Sequence, residues 1–276
     1  MGMRLLKQNK RKRFRTRRRM RARRRMSDGE GYFLDCVDSL DRNFASPREC
    51  GRFDTKYVHS FSQVNSAFMK NVRIVQHPLI ERDLSILRNR ETPSPIFRHT
   101  LQRLTSLLAY EVTKQVQWKK VTIATPLERT TGAVVAENII LIPVLRAGLG
   151  MVDGFLNVLP EAKVGHIGVY RNEETLEPVQ YYSKYPARIA GSSVYLLDPM
   201  LATGGSVVAS LRIISEKKPK SITVVSLVAA PEGIQRVRKS FPKVLIYTAA
   251  LDRELNSSGY ILPGLGDAGD RIFGTE

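Results

Sequence analysis

The chain has 276 residues, which is enough for one large domain or two small ones, and it contains no run of about 18 apolar residues that would predict a transmembrane helix. Its formal net charge of +18 would suggest a nucleic-acid-binding protein, but residues 1–26 alone carry fourteen Lys and Arg residues and no acid. The other 30 basic and 26 acidic residues leave a net charge of about +4, so nucleic-acid binding is not expected outside this tail.

The amino-terminal region is predicted to be an extension rather than a folded domain. Residues 27–68 show neither the period of a strand nor that of a helix, and 1–68 are interpreted as a basic, disordered extension without a catalytic role. Four interpretations of its Arg-rich run stay open: a nucleic-acid-binding arm, an organellar transit peptide, a nuclear-localisation patch, or a start codon placed too far upstream of Met69. Cys36 and Cys50 are the two cysteines of the chain, so neither a disulfide framework nor a zinc site is predicted, and a reducing compartment is expected.

From Met69 onward, apolar runs of strand length alternate with helix-like segments. Leu residues recur at helical spacing within 97–115, and 121–135 is predicted to form two short strands around a turn at Thr131-Gly132. The later strand candidates show no alternation of polar residues, so both faces of their sheet are expected to be covered. The predicted fold is therefore α/β, a doubly wound, mostly parallel sheet flanked by helices, formed by one domain over 69–276. The predicted strands are 139–144, 164–169, 194–198, 222–228 and 244–249, and the predicted helices between them are 147–159, 205–217 and 231–240.

An acid followed by a turn of small residues ends the third of these strands, where 198–206 read DPMLATGGS. Ligands of an open parallel sheet bind outside the carboxyl ends of the strands, which is where Asp198 is predicted to lie. The N–H groups of the Thr-Gly-Gly-Ser turn (203–206) and the following helix start can converge on one anion, and the hydroxyls add donors. A phosphomonoester fits this cradle, and Asp198 would accept hydrogen bonds from adjacent ribose hydroxyls. The alternative is an ordinary strand-to-helix turn with a capping residue.

This motif resembles the phosphoribosyl pyrophosphate (PRPP) motif of type I phosphoribosyltransferases, in the form of the uracil phosphoribosyltransferase family, in which a proline follows the first acid. Three further stretches agree and stand in the family's order: PVLRAGLGM (143–151) resembles the pyrophosphate loop, VYRNEETLEPVQYY (169–182) leads into a flexible β-hairpin or hood, and GYILPGLGDAGDRIFGT (259–275) resembles the uracil-recognition signature. The resemblance covers residues 69–276. It implies a PRPP site made of Arg146, Arg171, Asp198, Pro199, Met200, Leu201, Ala202, Thr203, Gly204, Gly205, Ser206 and Asp267.

The resemblance also implies a reaction of pyrimidine salvage, in which uracil and PRPP give UMP and pyrophosphate. Arg146 and Arg171 would bind pyrophosphate, because guanidinium groups hold phosphate oxygens in pairs. Mg²⁺ is expected to arrive with PRPP and to keep several waters, so no metal site belonging to the protein itself is predicted. The predicted catalytic residues are Asp198, Arg146 and Asp267, and the predicted uracil site consists of Ile261, Gly266, Asp267 and Ala268, with Tyr260 packing on the ring.

The family resemblance further implies a homo-oligomer and activation by GTP. A cytoplasmic location is expected, with targeting to an organelle by the extension left open. Two alternative functions also stay open, namely an RNA-binding pyrimidine regulator on the same fold and a phosphoribosyltransferase for another base. Salt-sensitive RNA binding by residues 69–276 would favour the first alternative, and a panel of bases tested with PRPP would decide the second.

Overall fold

A computed structural model describes residues 70–171 and 178–275, and the predicted extension 1–68 lies outside the described residues. The described strands that build the main sheet, or stand beside it, are defined here in chain order. They are β1 (Val72–Ile74), β2 (Trp118–Ala124), β3 (Arg129–Val135), β4 (Ile139–Leu145), β5 (Lys163–Val164), β6 (His166–Arg171), β7 (Pro178–Lys184), β8 (Ser193–Leu197), β9 (Met200–Leu201), β10 (Ser221–Ala229), β11 (Leu245–Leu251), β12 (Glu254–Leu255) and β13 (Ile261–Leu262).

The main sheet of the described residues has nine strands in the order β1-β11-β10-β8-β4-β6-β7, with β5 beside β4 and β9 beside β10. Its pairs are parallel except β6–β7, which is antiparallel. Strands β2 and β3 form a separate hairpin, as do β12 and β13. Because β4 and β8 are parallel neighbours, the residues that follow them, Arg146 and Asp198, lie at the same edge of the sheet.

Helices cover both faces of the main sheet, which confirms the predicted doubly wound α/β fold. One apolar core joins the sheet to the first three helices and the last, and a second core joins its other face to the remaining two. In the part of the chain that the structure describes, none of the helices combines the length and apolarity needed to cross a membrane. The helices are α1 (Pro78–Arg88), α2 (Ser94–Val112), α3 (Leu149–Leu156), α4 (Gly205–Ser215), α5 (Pro231–Ser240) and α6 (Ala268–Phe273), with a 3₁₀ turn at Thr113–Gln115.

The turn of the β2–β3 hairpin was predicted at the wrong place. The two strands pair continuously from Trp118 opposite Val135 to Ala124 opposite Arg129, so Thr131-Gly132 lies inside β3. The connection is made by residues 125–128 instead, where Thr125 Oγ1 accepts hydrogen bonds from the N–H groups of the second and third residues after it, at 3.2 and 3.0 Å. This hydroxyl-capped turn and the lack of a donor on the proline at position 126 explain why the chain reverses there.

Helix α1 was not predicted, although its signals stand in the sequence. His77 is its N-cap, with Nδ1 accepting from Leu79 N–H at 3.2 Å, and a proline occupies the first helical turn. Ile80, Leu84 and Leu87 recur at helical spacing and are buried in the core. This arrangement gives His77 a structural role.

Candidate active site

Asp198 lies one residue past β8, at the carboxyl edge of the main sheet. Its Oδ1 accepts a hydrogen bond from Met200 N–H at 3.3 Å, and the described residues provide no donor to Oδ2. Burial raises the pKa of Asp198 to about 7, and the hydrogen bond from Met200 offsets only part of this rise. The side chain stays partly accessible to water. A carboxylate in this position can accept hydrogen bonds from a ligand, and its ionisation becomes more favourable when such donors arrive.

The Thr-Gly-Gly-Ser turn connects β9 to α4 and leaves the first N–H groups of that helix open. Gly204 is the N-cap, with φ 72° and ψ 3°, a left-handed conformation that glycine adopts without a steric cost. The helical hydrogen bonds begin with Val208 N–H, which donates to Gly204 O at 2.9 Å. Gly205 N–H makes only a long contact of 3.5 Å with Thr203 Oγ1. The N–H groups before Val208 and the helix dipole therefore favour an anion at this turn.

Backbone hydrogen bonds hold this turn against the sheet. Pro199 O accepts from two successive N–H groups of β10 at 3.1 Å, and Leu201 O accepts from Ala230 N–H at 2.9 Å. The Leu201 side chain is fully buried in the core on the α4 and α5 face of the sheet, whereas Met200 and Ala202 pack against the core on the opposite face. These four predicted PRPP contacts thus fix the position of the turn through packing and backbone bonds, while the small residues after them present donors.

Arg146 follows β4 in a loop that folds back onto the end of β8. A Cβ on Gly148 would lie 2.4 Å from Leu197 O, so only glycine permits this approach. The Leu145–Arg146 peptide bond is cis. The Arg146 side chain is 62% exposed, and its Nη2 lies 3.6 Å from Asp270 Oδ1. This ion pair is loose and solvent-exposed, so the guanidinium keeps most of its donors for a ligand.

The predicted uracil residues lie in β13, in the carboxyl-terminal loop that follows it and at the first residue of α6. Gly264 and Gly266 adopt positive φ values of 61° and 78°, which side chains rarely adopt. Ile261 and Ala268 are buried, with 3% and 2% exposure, whereas Gly266 between them is exposed. Asp267 is exposed and caps α6, where its Oδ1 accepts from the N–H three residues further on at 3.0 Å. The loop therefore offers backbone donors and acceptors beside one carboxylate.

Two arginines that the sequence reasoning missed hold this loop. Arg88 and Asp252 form a bidentate ion pair at 2.6 and 2.8 Å; Arg88 Nη1 also donates to Gly264 O at 2.7 Å, and Gly264 N–H donates to Asp252 Oδ2 at 2.9 Å. The Arg271 guanidinium, 4.4 Å from the centre of the Phe97 ring, donates to backbone carbonyls from α1, the segment after it and the loop. Arg88 and Asp252 are 164 positions apart, so no local sequence signal could have paired them.

Three of the predicted segments meet at one edge of the sheet. A Cβ on Gly259 would lie 3.5 Å from Thr203 Cγ2, which brings the carboxyl-terminal segment to the turn before α4. A Cβ on Gly269 would lie 3.8 Å from Ala147 Cβ, which brings the same segment to the loop after β4. The Arg146–Asp270 contact joins the same two segments. The predicted site residues of these three segments thus lie close together at this edge of the sheet.

The fourth predicted segment is only partly described. Arg171 ends β6, but its side chain lies outside the described part, as do residues 172–177 at the centre of the predicted hood. Among the described residues, no group of three His, Cys, Asp or Glu side chains could hold a metal ion. Asp198 and Asp267 nevertheless supply carboxylate oxygens from two of the segments that meet at the carboxyl edge of the sheet, and carboxylate is the donor type that fits a Mg²⁺ ion carried by phosphates.

The chain has a doubly wound sheet with an acid and a glycine-rich turn at its carboxyl edge, where ligands of such sheets bind, and its fold is that of the type I phosphoribosyltransferases. A family model for uracil phosphoribosyltransferase matches residues 74–275. The uracil phosphoribosyltransferase of Salinibacter ruber is 51% identical over 207 residues, which cover 75% of this chain and 99% of the relative. That of Ureaplasma urealyticum is 53% identical over 205 residues, which cover 74% and 99%. The solved structure of the AQ2163 protein from Aquifex aeolicus has a TM-score of 0.70 at 40% identity and covers 73% of this chain and 97% of that one. The chain belongs to the uracil phosphoribosyltransferase family.

Proposed function

We propose that this chain transfers the 5-phosphoribosyl group of PRPP to uracil, giving UMP and pyrophosphate, as an enzyme of pyrimidine salvage. The observation that carries the proposal is the meeting of three segments at the carboxyl edge of the sheet. They bring together a partly buried carboxylate, a turn that favours an anion, and an exposed arginine. This set matches a sugar with a phosphate at one end and a pyrophosphate at the other. The two curated relatives, 51% and 53% identical, carry the name of this activity.

The transfer breaks the bond between ribose C1 and a pyrophosphate oxygen, and the electron pair leaves with pyrophosphate. Uracil N1 then bonds to C1, and its proton passes to the released pyrophosphate. Positive charge develops on the sugar and negative charge on the leaving group, so the protein must stabilise both. Arg146 is assigned to the pyrophosphate, and Arg171, the last residue of β6, is assigned to the same group. Asp198 accepts hydrogen bonds from the ribose hydroxyls, and its negative charge stabilises the sugar as the bond breaks.

Uracil is neutral and presents two carbonyls and two N–H groups, so backbone amides and carbonyls are suitable partners. The backbone of Ile261, Gly266 and Ala268 is assigned to these edges, because these residues belong to the segment in which Gly264 and Gly266 form positive-φ turns beside the Asp267 carboxylate. Tyr260, which is 49% exposed and follows the glycine beside Thr203, is assigned to the face of the ring. Cytosine would leave a buried donor or acceptor unpaired, which disfavours it.

Mg²⁺ is assigned to PRPP rather than to a site made by the protein alone, with Asp267 and Asp198 near its shell of waters. When bound, the ion neutralises charge on pyrophosphate. Removal of divalent ions with a chelator should abolish turnover, and added Mg²⁺ should restore it. Retention of full activity in the chelated enzyme would contradict this assignment.

The β2–β3 hairpin supports a homo-oligomer. Its side chains Trp118, Ile123, Leu127 and Val134 are 61, 43, 95 and 41% exposed, and a two-stranded hairpin is only marginally stable in water. A second copy of the chain would cover these apolar groups, and sedimentation of wild type and Leu127→Glu would show whether the hairpin is the contact.

Activation by GTP is proposed from the family resemblance and is tested by measuring kcat/KM with and without GTP. A cytoplasmic location is also proposed, because residues 51–276 contain no cysteine and so need no oxidising compartment to form disulfides.

The proposed reaction is tested by incubating the full chain with PRPP and one of several bases while pyrophosphate release is followed. Uracil should support turnover, whereas cytosine, adenine and hypoxanthine should not. Arg146→Ala should lower kcat/KM by about 10²–10³-fold without unfolding the protein, and Arg90→Ala, which removes an equally charged side chain that is 92% exposed, serves as the control. Release with another base alone, or full activity of the Arg146 variant, would overturn the assignment.

A further inference from the structure

Helix α5 packs directly beneath the turn that precedes α4. A Cβ on Gly233, in the first turn of α5, would lie 2.3 Å from Ala202 O and 2.7 Å from Leu201 O. Only a glycine allows this contact, because both neighbouring atoms belong to the backbone. Side chains on the adjacent face of α5 are therefore carried to the edge of the Thr-Gly-Gly-Ser turn.

Arg236 is the side chain that α5 places there. Its Nη1 lies 3.4 Å, and its Cζ 3.8 Å, from the point where a Cβ on Gly205 would stand. Its own Cβ lies 3.4 Å from the corresponding point on Gly204. The arginine therefore runs alongside the two glycines of the turn, and its guanidinium ends beside the first residue of α4, where the N–H groups are open.

The charge of Arg236 is not neutralised by the described residues. Glu232 stands four positions earlier on α5, the spacing at which a helical acid and base usually pair. Its Oε1 instead accepts a hydrogen bond from Leu255 N–H at 3.1 Å, which draws the carboxylate toward β12. No other carboxylate of the described ranges lies within ion-pair distance of Arg236. An exposed, uncompensated guanidinium next to open N–H groups attracts the same anion as they do.

We propose that Arg236 binds the 5′-phosphate of PRPP and of UMP and so helps the enzyme select phosphorylated ribose. This inference rests on the proposed function. The N–H groups of the turn hold the phosphate from one side, and the guanidinium holds it from the side of α5. Arg146 lies on a different segment, in the loop after β4, and serves the pyrophosphate end. The two ends of PRPP thus have separate cations. Loss of Arg236 should therefore weaken the binding of ligands that carry the 5′-phosphate more than the binding of ligands that lack it.

The test uses the full chain with Arg236→Ala, with Lys239→Ala as a matched control that removes one exposed positive charge from the same helix. In the Arg236 variant the KM for PRPP and the inhibition constant of UMP should both rise by about 10-fold, whereas kcat, the KM for uracil and the inhibition constant of pyrophosphate should change less than about 2-fold. Arg236→Lys should recover part of the loss, because the charge returns without the planar fork.

Three outcomes would overturn the inference while leaving the proposed function intact. They are unchanged constants for PRPP and UMP, an equal rise for UMP and pyrophosphate, and an equal effect of the Lys239 control. The second and third would indicate a general influence of charge rather than a contact with the 5′-phosphate. If instead the wild-type chain shows no turnover with uracil and PRPP, the proposed function itself fails.

Discussion

Asp198→Asn should stabilise the ligand-free protein above neutral pH while it weakens PRPP binding. The pKa of this carboxyl is about 7 in the folded chain, against 3.8 for an unperturbed aspartate. Between these values the folded state keeps a proton that the unfolded state has lost, so the free energy of unfolding falls as the pH rises through this window. Below about pH 4 this loss of stability is absent, and above about pH 7 it is fully present. Asparagine carries no charge at any pH, and its Oδ1 can still accept the Met200 N–H.

The size of the effect follows from the same two pKa values. The interval from 3.8 to about 7 corresponds to about 4 kcal/mol, at about 1.4 kcal/mol for each pH unit. Water reaches the edge of the Asp198 side chain, so the cost lies at or below this figure. We therefore expect the free energy of unfolding of the variant to exceed that of wild type by about 2–4 kcal/mol at pH 8, and the difference to vanish near pH 4.

Urea denaturation of both proteins at several pH values between 4 and 8, without ligand, measures this difference. Asp153→Asn is the control, because it removes a carboxylate from an exposed position of α3 and should change the free energy of unfolding by less than about 0.5 kcal/mol. Equal or lower stability of the Asp198 variant at pH 8 would refute the reasoning, since the folded state would then not be resisting ionisation. In turnover assays the same variant should lose about 2–4 kcal/mol of transition-state stabilisation in kcat/KM for PRPP.

Three further predictions concern the shape and chemistry of the site. First, kcat/KM for PRPP should rise with pH through about 7 and then level off as Asp198 ionises, and the profile of Asp198→Asn should lack this step. Second, Gly148→Ala should destabilise the fold by about 1–3 kcal/mol and reduce turnover at least about 10-fold, because the new Cβ meets Leu197 O at 2.4 Å; unchanged activity would contradict the close approach of that loop to β8. Third, Asp252→Asn should lower the free energy of unfolding in urea by about 2–4 kcal/mol and raise the KM for uracil. The change leaves Arg88 without its carboxylate and frees the carboxyl-terminal loop. A KM for uracil equal to that of wild type would show that the ion pair does not support base binding.

Much of the fold could be predicted because its signals are local. The apolar runs that became β4, β8, β10 and β11 needed only their composition, since both of their faces are buried. Helix α5 has the predicted bounds because Pro231 begins it and its apolar positions follow the helical period. The misplaced hairpin turn shows the limit of such signals. A Thr-Gly pair indicates a turn in isolation, but cross-strand pairing and the Thr125 hydroxyl decided the register.

The parts of the site that escaped prediction depend on the tertiary structure. Motifs placed Asp198, Arg146 and the glycine-rich loop, yet nothing in one sequence indicates that Arg88 meets Asp252. The raised pKa of Asp198 is equally invisible to the motif, because it comes from burial in the folded chain. Motifs identify the residues that contact a ligand, whereas the residues that position them are found only when the chain has folded.

The site holds its groups in states that a bound substrate would improve. Asp198 resists ionisation, the first N–H groups of α4 have no helical partners, and Arg146 makes only a loose ion pair. A flexible loop would relax by moving its donors into water or against one another. Here the carbonyl of Pro199 is bonded to β10 and Gly148 is pressed against the backbone of β8, so neither segment can relax in this way. The energetic cost is therefore built into the fold, and a sugar phosphate that supplies donors to the carboxylate and oxygens to the N–H groups removes it on binding.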